Sequence, residues 1–365
     1  MSVHVARLTG HNPEITALEW LSTRGLDHSG SKHILKPVAR MQVDGPNGCH
    51  DILIRPLSWA VTEQAARNFG DGIHIAHGAA LGLAYLHSVG AVHGDINKDV
   101  LVLCFPELRC PFPLEQLLAC LTPTHCTPIC PRKDTERDAS VPAYIPAALS
   151  FEHGMRGALD RLPRSDFICA ITGFHQTHVI SPDTPVHDTR ATYMPPEVVF
   201  QISTIGEKGD IWALGCTLFE IFFGERLIDR GIETNTASNI LAKLGPLPDS
   251  WQTSLGSPNV NHQPDHFHHS SDNFWSQMRE RYLNMDLKKL GDPLLMERDA
   301  SLFIDMMRSM LRIDPSKRIS SQDLVEHDWF KLDGEPQDRE PKFNSTYVPP
   351  TTMPLGVTFM FASAS

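Results

Sequence analysis

The chain has 365 residues, with 32 basic and 43 acidic side chains and a formal net charge of −11 when histidine is neutral. An apolar fraction of 41% and a charged fraction of 21% are ordinary for a folded protein and exclude a wholly disordered one. The excess of acid argues against a general basic surface for nucleic acid, and the length suffices for one large or two ordinary domains.

Residues 13–22, PEITALEWLS, open with Pro13 and carry Ile15, Leu18 and Leu21 at helical spacing, which predicts a helix. HILKPVARMQV (33–43) and ILI (52–54) flank the turn-rich DGPNG (44–48) and predict a β-hairpin. Residues 59–89 predict one or two helices, with Ile75, Ala79, Leu83 and Leu86 forming an apolar stripe. AVHGDINKDVLVLCF (91–105) reads as a loop feeding a short strand. Residues 106–165 are rich in Pro and Cys, with a helical patch near PLEQLLACL, and FICAIT (167–172) reads as a strand. Residues 173–192 read as an exposed loop. Helices then dominate, around 196–202, 208–223, 235–243, 300–312 and 321–327, while the polar, His-rich 252–275 reads as a surface loop. The tail, 334–365, reads as extended and poorly packed. Strands early and helices late predict an α+β protein with a helical major lobe.

The eight cysteines are too sparse for a disulfide scaffold, and MSVHVARLTG lacks the features of a secretory signal. Both point to a reducing intracellular compartment, cytoplasm or nucleus. The stretch 72–94 has no acid or base and is long enough to test as a membrane span, but it holds four histidines and several glycines, so no transmembrane helix is expected. Cys104, Cys110, Cys120, Cys126 and Cys130 crowd one insertion without a C-x2-C pair, so the zinc pattern fails. His262, His266, His268 and His269 read as a solvated loop.

Four further segments stand in a telling order: LGLAYLHSVGAVHGDI (81–96), YMPPEVVF (193–200), DIWALGCTLFEIFFGE (210–225) and LRIDPSKRISSQDLVEHDWF (311–330). Together they resemble the signature set of the protein kinases. GPNG in a hairpin, the HGD loop, PPE after Tyr193 and LGPLPDSW (244–251) look like the fungal serine/threonine kinases related to SR-protein kinases. The resemblance covers about residues 5–331. It implies a bilobal α+β fold with a truncated N-terminal β lobe and a mainly helical C-terminal lobe. Residues 1–58 would be the small-lobe remnant, with strand, helix, hairpin and hinge. Residues 59–333 would be the large lobe, with an insertion at 104–165. The resemblance also implies ATP and Mg²⁺ as cofactors and a monomer with a protein substrate or partner, of the basic Arg-Ser-rich kind. It implies no nucleic-acid or membrane partner.

By the same resemblance Asp95 is the catalytic base, two residues after a structural His93. Arg7, Glu14 and Leu57 stand at nucleotide-facing positions. Asp210 and the pair Glu197–Arg318 hold the large lobe. The departures concern the chemistry. No Gly-rich loop precedes residue 13, and VARL (5–8) carries no Lys, leaving Arg7 as the nearest cation. Glu14, without its Lys, reads as a solvated first-turn carboxylate favoured by the helix dipole. Val100 stands at the Mg²⁺-binding Asn position, with Asp99 a stand-in if one residue is deleted. In AITGF (170–174), gapless alignment puts Ile171 at the metal-binding Asp, and alignment with a gap deletes the Asp-Phe pair altogether. Mg²⁺ stabilises developing phosphoryl charge by several kcal/mol, and about 1.4 kcal/mol is tenfold in rate. The expectation is therefore an impaired kinase, a pseudokinase or scaffold. The alternatives are a weakly active kinase using Asp95, or a truncated gene product, since Met1 falls in mid-strand of the expected small lobe. Thr177, Ser181, Thr184 and Thr189 are hydroxyls of the expected activation loop.

Overall fold

The computed structural model describes residues 2–5, 12–45, 48–61, 71–105, 115, 126–128, 144–146, 167–179, 193–228, 236–254, 270–285 and 293–332. One compact unit spans Met1–Asp333; a second, Gly334–Ser365, lies outside the described residues, and so does the expectation of an extended tail.

The N-terminal region is a three-stranded antiparallel sheet with a helix. The order is β1 (Ser2–Val5), β3 (Gly48–Arg55), β2 (Ala39–Gly45), with Gly45 opposite Gly48 across the hairpin. The hairpin's first strand begins at Ala39, not His33, because Ser29–His33 forms a 3-10 turn capped by the His28 ring. Helix α1 (Pro13–Leu21) starts where Asn12 accepts the Glu14 amide at 3.0 Å, with Pro13 at its first position. It buries Ile15, Leu18 and Leu21.

The C-terminal region is helical. Helix α2 (Asp71–Ser88) buries the expected stripe completely, Ile75, Ala79, Leu83 and Leu86 all at 0% exposure. Its Tyr85 hydroxyl reaches the carbonyls of Leu21 at 2.9 Å and Arg24 at 2.8 Å, which ties the end of α1 to the large lobe. The 3-10 turn before β2 lies so close to α2 that a Cβ on Gly30 would come within 2.0 Å of the Leu81 carbonyl. Only glycine fits there. The expected helix from 59 is corrected at its start: Ser58–Ala60 is a strand, β4, whose buried Trp59 faces the core. It pairs antiparallel with β6 (Leu101–Cys104), preceded by the two-residue strand β5 (Ala91–Val92). The insertion contributes β7 (Cys126–Pro128) and β8 (Tyr144–Pro146), an antiparallel pair. The helical patch near PLEQLLACL, Glu115 apart, lies outside the described residues. Strand β9 (Ile168–Ile171) completes the sheet β4-β6-β9, and β10 (His178–Val179) pairs with β5.

Helices α3 (Pro196–Val199) and α4 (Glu207–Phe223) follow. Residues 209–223 of α4 are buried all round, the mark of a central core helix. It stops at Gly224, whose left-handed φ of 74° provides the C-terminal cap. Helices α5 (Thr236–Leu244), α6 (Asp249–Ser254), α7 (Ser270–Asn284), α8 (Pro293–Met310) and α9 (Ser321–Val325) pack around it. Helix α7 begins inside the segment read as a polar loop. It buries Trp275, Met278 and Tyr282, whose ring stacks on Phe303 at 4.2 Å. Among the described residues no helix is long and apolar enough to cross a membrane. Cys104, Cys169 and Cys216 are buried and not in disulfides. Burial pushes the Cys104 thiol up to about 12 and raises the other two as well.

Two interactions carry testable consequences for stability. Arg318, at 2% exposure, forks onto Glu197 at 2.8 and 2.9 Å, donates to the Arg312 carbonyl and lies 5.3 Å over the Trp212 ring. Arg318→Met leaves Glu197 buried and unpaired, so a loss of about 3–5 kcal/mol is expected in urea unfolding. His33 is buried against Cys169, whose carbonyl accepts from Nδ1–H at 2.7 Å, and burial lowers its pKa to about 4. Between pH 6.5 and 4 the unfolded chain therefore binds a proton that the folded chain refuses. This contribution is complete above pH 6.5 and is lost with acid by up to about 3 kcal/mol. Urea midpoints measured across this range should fall with acid, and His33→Gln should flatten that dependence.

Candidate functional site

The loop 93–100 is held by a buried carboxylate on α4. Asp210, at 0% exposure, accepts the backbone N–H of His93 at 2.7 Å and of Gly94 at 2.9 Å, with His87 Nε2 at 3.2 Å. Burial alone would raise this carboxyl. The His87 hydrogen bond and the surrounding donors outweigh it and hold the carboxyl below its ordinary value. His93 is fully buried and held neutral by desolvation. Its Nε2–H donates to the Thr172 carbonyl at 3.0 Å, and its Nδ1 accepts the Asp95 amide at 3.3 Å, which fixes the tautomer. Asp95 follows, 7% exposed, with Oδ2 3.6 Å from His175 Nε2 and Oδ1 buried without a hydrogen-bond partner. Asn97, at 0% exposure, donates to the Asp95 carbonyl and accepts the Asp99 amide, so it shapes the loop's turn. Lys98 lies 3.0 Å from Glu220 of α4, which also accepts the Tyr193 hydroxyl.

Above this loop lies a second charged group. Glu14 of α1 is not the solvated carboxylate expected of it: it is 6% exposed and paired with Arg55 at 2.7 Å. Helix packing turns this first-turn residue inward, and the last residue of β3 meets it. The Arg55 guanidinium also donates to the Thr172 hydroxyl at 3.0 Å, while Glu14 accepts the Phe174 amide at 3.3 Å. Leu57 sits half-buried between β3 and β4, packed against the core. Arg7 lies outside the described residues, as do Ser181, Thr184 and Thr189.

The turn after β9 corrects the alignment of the metal-binding segment. Ile171 is a fully buried strand residue opposite Leu101. Phe174 is at 0% exposure and stands edge-on to His93 at 5.4 Å, so it is the buried aromatic of this motif and not part of an exposed loop. Gly173, with φ 79° and ψ 48°, then occupies the position ahead of it. A Cβ there would meet Val100 Cγ1 at 2.8 Å. Neither Gly173 nor Val100 offers a side-chain oxygen, so the residues at this turn do not fit Mg²⁺. Asp99 is exposed on the 3-10 turn Lys98–Val100. No three His, Cys, Asp or Glu side chains among the described residues cluster as a metal site.

Part of the chain that builds this site is similar in sequence to known proteins. Residues 171–330 match the protein kinase domain. That match covers less than half of the chain, and the chain as a whole keeps the α+β layout described above. It has a small strand-containing N-terminal region and a helical C-terminal one. It is 26% identical over 162 residues, 43% of the chain, to cyclin-dependent kinase G1 of Arabidopsis thaliana, covering 24% of that protein. It is 26% identical over 146 residues, 40% of the chain, to mitogen-activated protein kinase SLT2/MPK1 of Saccharomyces cerevisiae, covering 27% of it. Cyclin-dependent kinase-like 2 of Homo sapiens is 26% identical over 168 residues, 44% of the chain and 30% of that protein. The matched share of these curated relatives is thus less than a third of their length. Within the kinase domain, Thr172, Gly173, Phe174, Glu197, Asp210 and Arg318 lie inside the matched residues, while Glu14, Arg55, His93 and Asp95 lie before them.

The structure brings together Glu14, His93, Asp95 and Asp210, and joins Glu197 to Arg318 elsewhere in the large lobe. Arg55 and His175 complete the site without any signal in the sequence motifs. Gly173→Asp is expected to create no Mg²⁺-dependent thermal shift and to cost about 1–3 kcal/mol, because the new Cβ meets Val100. Val100→Ala in the same chain should recover part of that loss in thermal melts.

Proposed function

We propose that this kinase domain acts as a pseudokinase, a protein-binding module that does not carry out efficient phosphoryl transfer. The observation that supports this reading most directly is the turn after β9, where Gly173 and the facing Val100 provide no oxygen ligand and leave no room for a Cβ on Gly173. Phosphoryl transfer is almost entirely positioning and charge stabilisation, so loss of the metal ligands removes most of what the scaffold could contribute. The body of the domain keeps its ties at Asp210 and at Glu197–Arg318, as a binding module requires. A net charge of −11 and the resemblance to SR-protein-related kinases favour a basic, Arg-Ser-rich partner inside the cell.

A weakly active serine/threonine kinase is the rival reading. It is favoured by Asp95, whose Oδ1 is buried with no hydrogen-bond partner at the position of the base.

Nucleotide thermal shift separates the two. A ligand at 100 times its Kd stabilises by about 2.7 kcal/mol, several degrees for a domain of this size. With millimolar ATP and Mg²⁺, no shift beyond about 1 °C is expected. Phosphate transfer to an Arg-Ser-rich peptide, abolished by Asp95→Asn, would overturn the pseudokinase reading.

A further inference from the structure

We infer that Arg55 is a relocated cation that locks α1 and the Gly173–Phe174 turn in their closed arrangement without nucleotide or metal; this rests on the pseudokinase reading and deepens it. The kinase pattern places a Lys from one strand against a helix Glu. Here the cation comes from the last residue of β3 instead. Three contacts converge on the Arg55–Glu14 pair, from segments remote in sequence. Arg55 meets Glu14 across a separation of 41 residues and Thr172 across 117, and Glu14 meets the Phe174 amide across 160.

The chemistry suits a fastener more than a phosphate ligand. A guanidinium is planar, permanently charged and able to hold two acceptors at once, whereas an ammonium is a compact point charge that can swing onto a ligand. Arg55 is 8% exposed and already divided between a carboxylate and a hydroxyl. The other ion pair at α1, Arg40 with Glu19, is on the surface with side chains 40% and 67% exposed, so it contributes little. The buried tie therefore fixes the first turn of α1, while Tyr85 holds its far end. Because Glu14 also receives the Phe174 amide, the same tie keeps the Phe174 ring against His93. In an active kinase, ligand and metal share the task of assembling these parts. In this chain the Arg55–Glu14 pair takes a share of it from within the protein.

Local hydrogen exchange on the full chain tests the lock, with amides of residues 14–21 and 174–179 as the readout. Arg55→Met should raise exchange in both segments by about 100-fold, the scale of a buried pair losing one partner, while the interior of α4 stays protected. Should that variant fail to fold, Glu14→Gln keeps shape and loses the charge, and it should raise exchange in the same two segments. Arg55→Lys, which keeps the charge but not the fork, should restore only part of the protection. A uniform rise across the domain, or no rise in either segment, would overturn the lock. Addition of ATP with Mg²⁺ to the unmodified protein distinguishes the two levels. Protection that grows with Mg²⁺-ATP would sink the pseudokinase reading, even if the Arg55 variants behave as stated. Indifference to Mg²⁺-ATP together with unresponsive variants would leave that reading standing and remove the lock.

Discussion

Asp210 sits at the first turn of the most buried helix and spends both carboxylate oxygens on the backbone of a loop from a different segment. A charge at zero exposure is tolerable only when its acceptor sites are filled, and here two amides and an imidazole fill them. The loop 93–97 consequently has one shape. His93 is placed to receive the Asp95 amide and to reach Thr172, and from there the turn carrying Phe174 is fixed. The cleft geometry is thus inherited from the core of the large lobe.

Set against that rigid base, the nucleotide-facing residues have been exchanged for groups that satisfy one another. A valine fills the space beside a glycine, an arginine answers a glutamate, and a histidine stands near an aspartate. Each exchange lowers the need for an outside ligand to neutralise charge or fill volume. The proposed lack of efficient catalysis and a well-packed fold are compatible for this reason: these residues are complementary in pairs.

Much of this was legible in the sequence because motif residues lie close together there. The HGD loop, the Asp–Trp start of α4 and the late Arg318 each announce themselves within a few positions, and all three are buried in the large lobe. What escaped were pairings over long separations. Nothing near Arg55 marks it as the partner of Glu14, so a buried carboxylate was read as a solvated one. The segment 170–174 misled because a gapless comparison counts residues, whereas a strand decides which of them face inward; Ile171 belongs to β9 and Phe174 to the core. Helix α7 was overlooked for a different cause. Its Phe274, Met278 and Tyr282 do follow helical spacing, but the preceding histidines and polar residues dominated the composition of the window.

The buried thiols give the fold a chemical reporter of its own opening. Cys104 and Cys169 lie on the neighbouring strands β6 and β9, and Cys216 lies inside the central helix. Desolvation suppresses the thiolate at all three. Since only the thiolate reacts readily with alkylating agents, labelling at these positions proceeds through molecules that have transiently opened. The rate at which Cys169 and Cys216 are alkylated would then register separately how often the strand layer and the helical interior come apart.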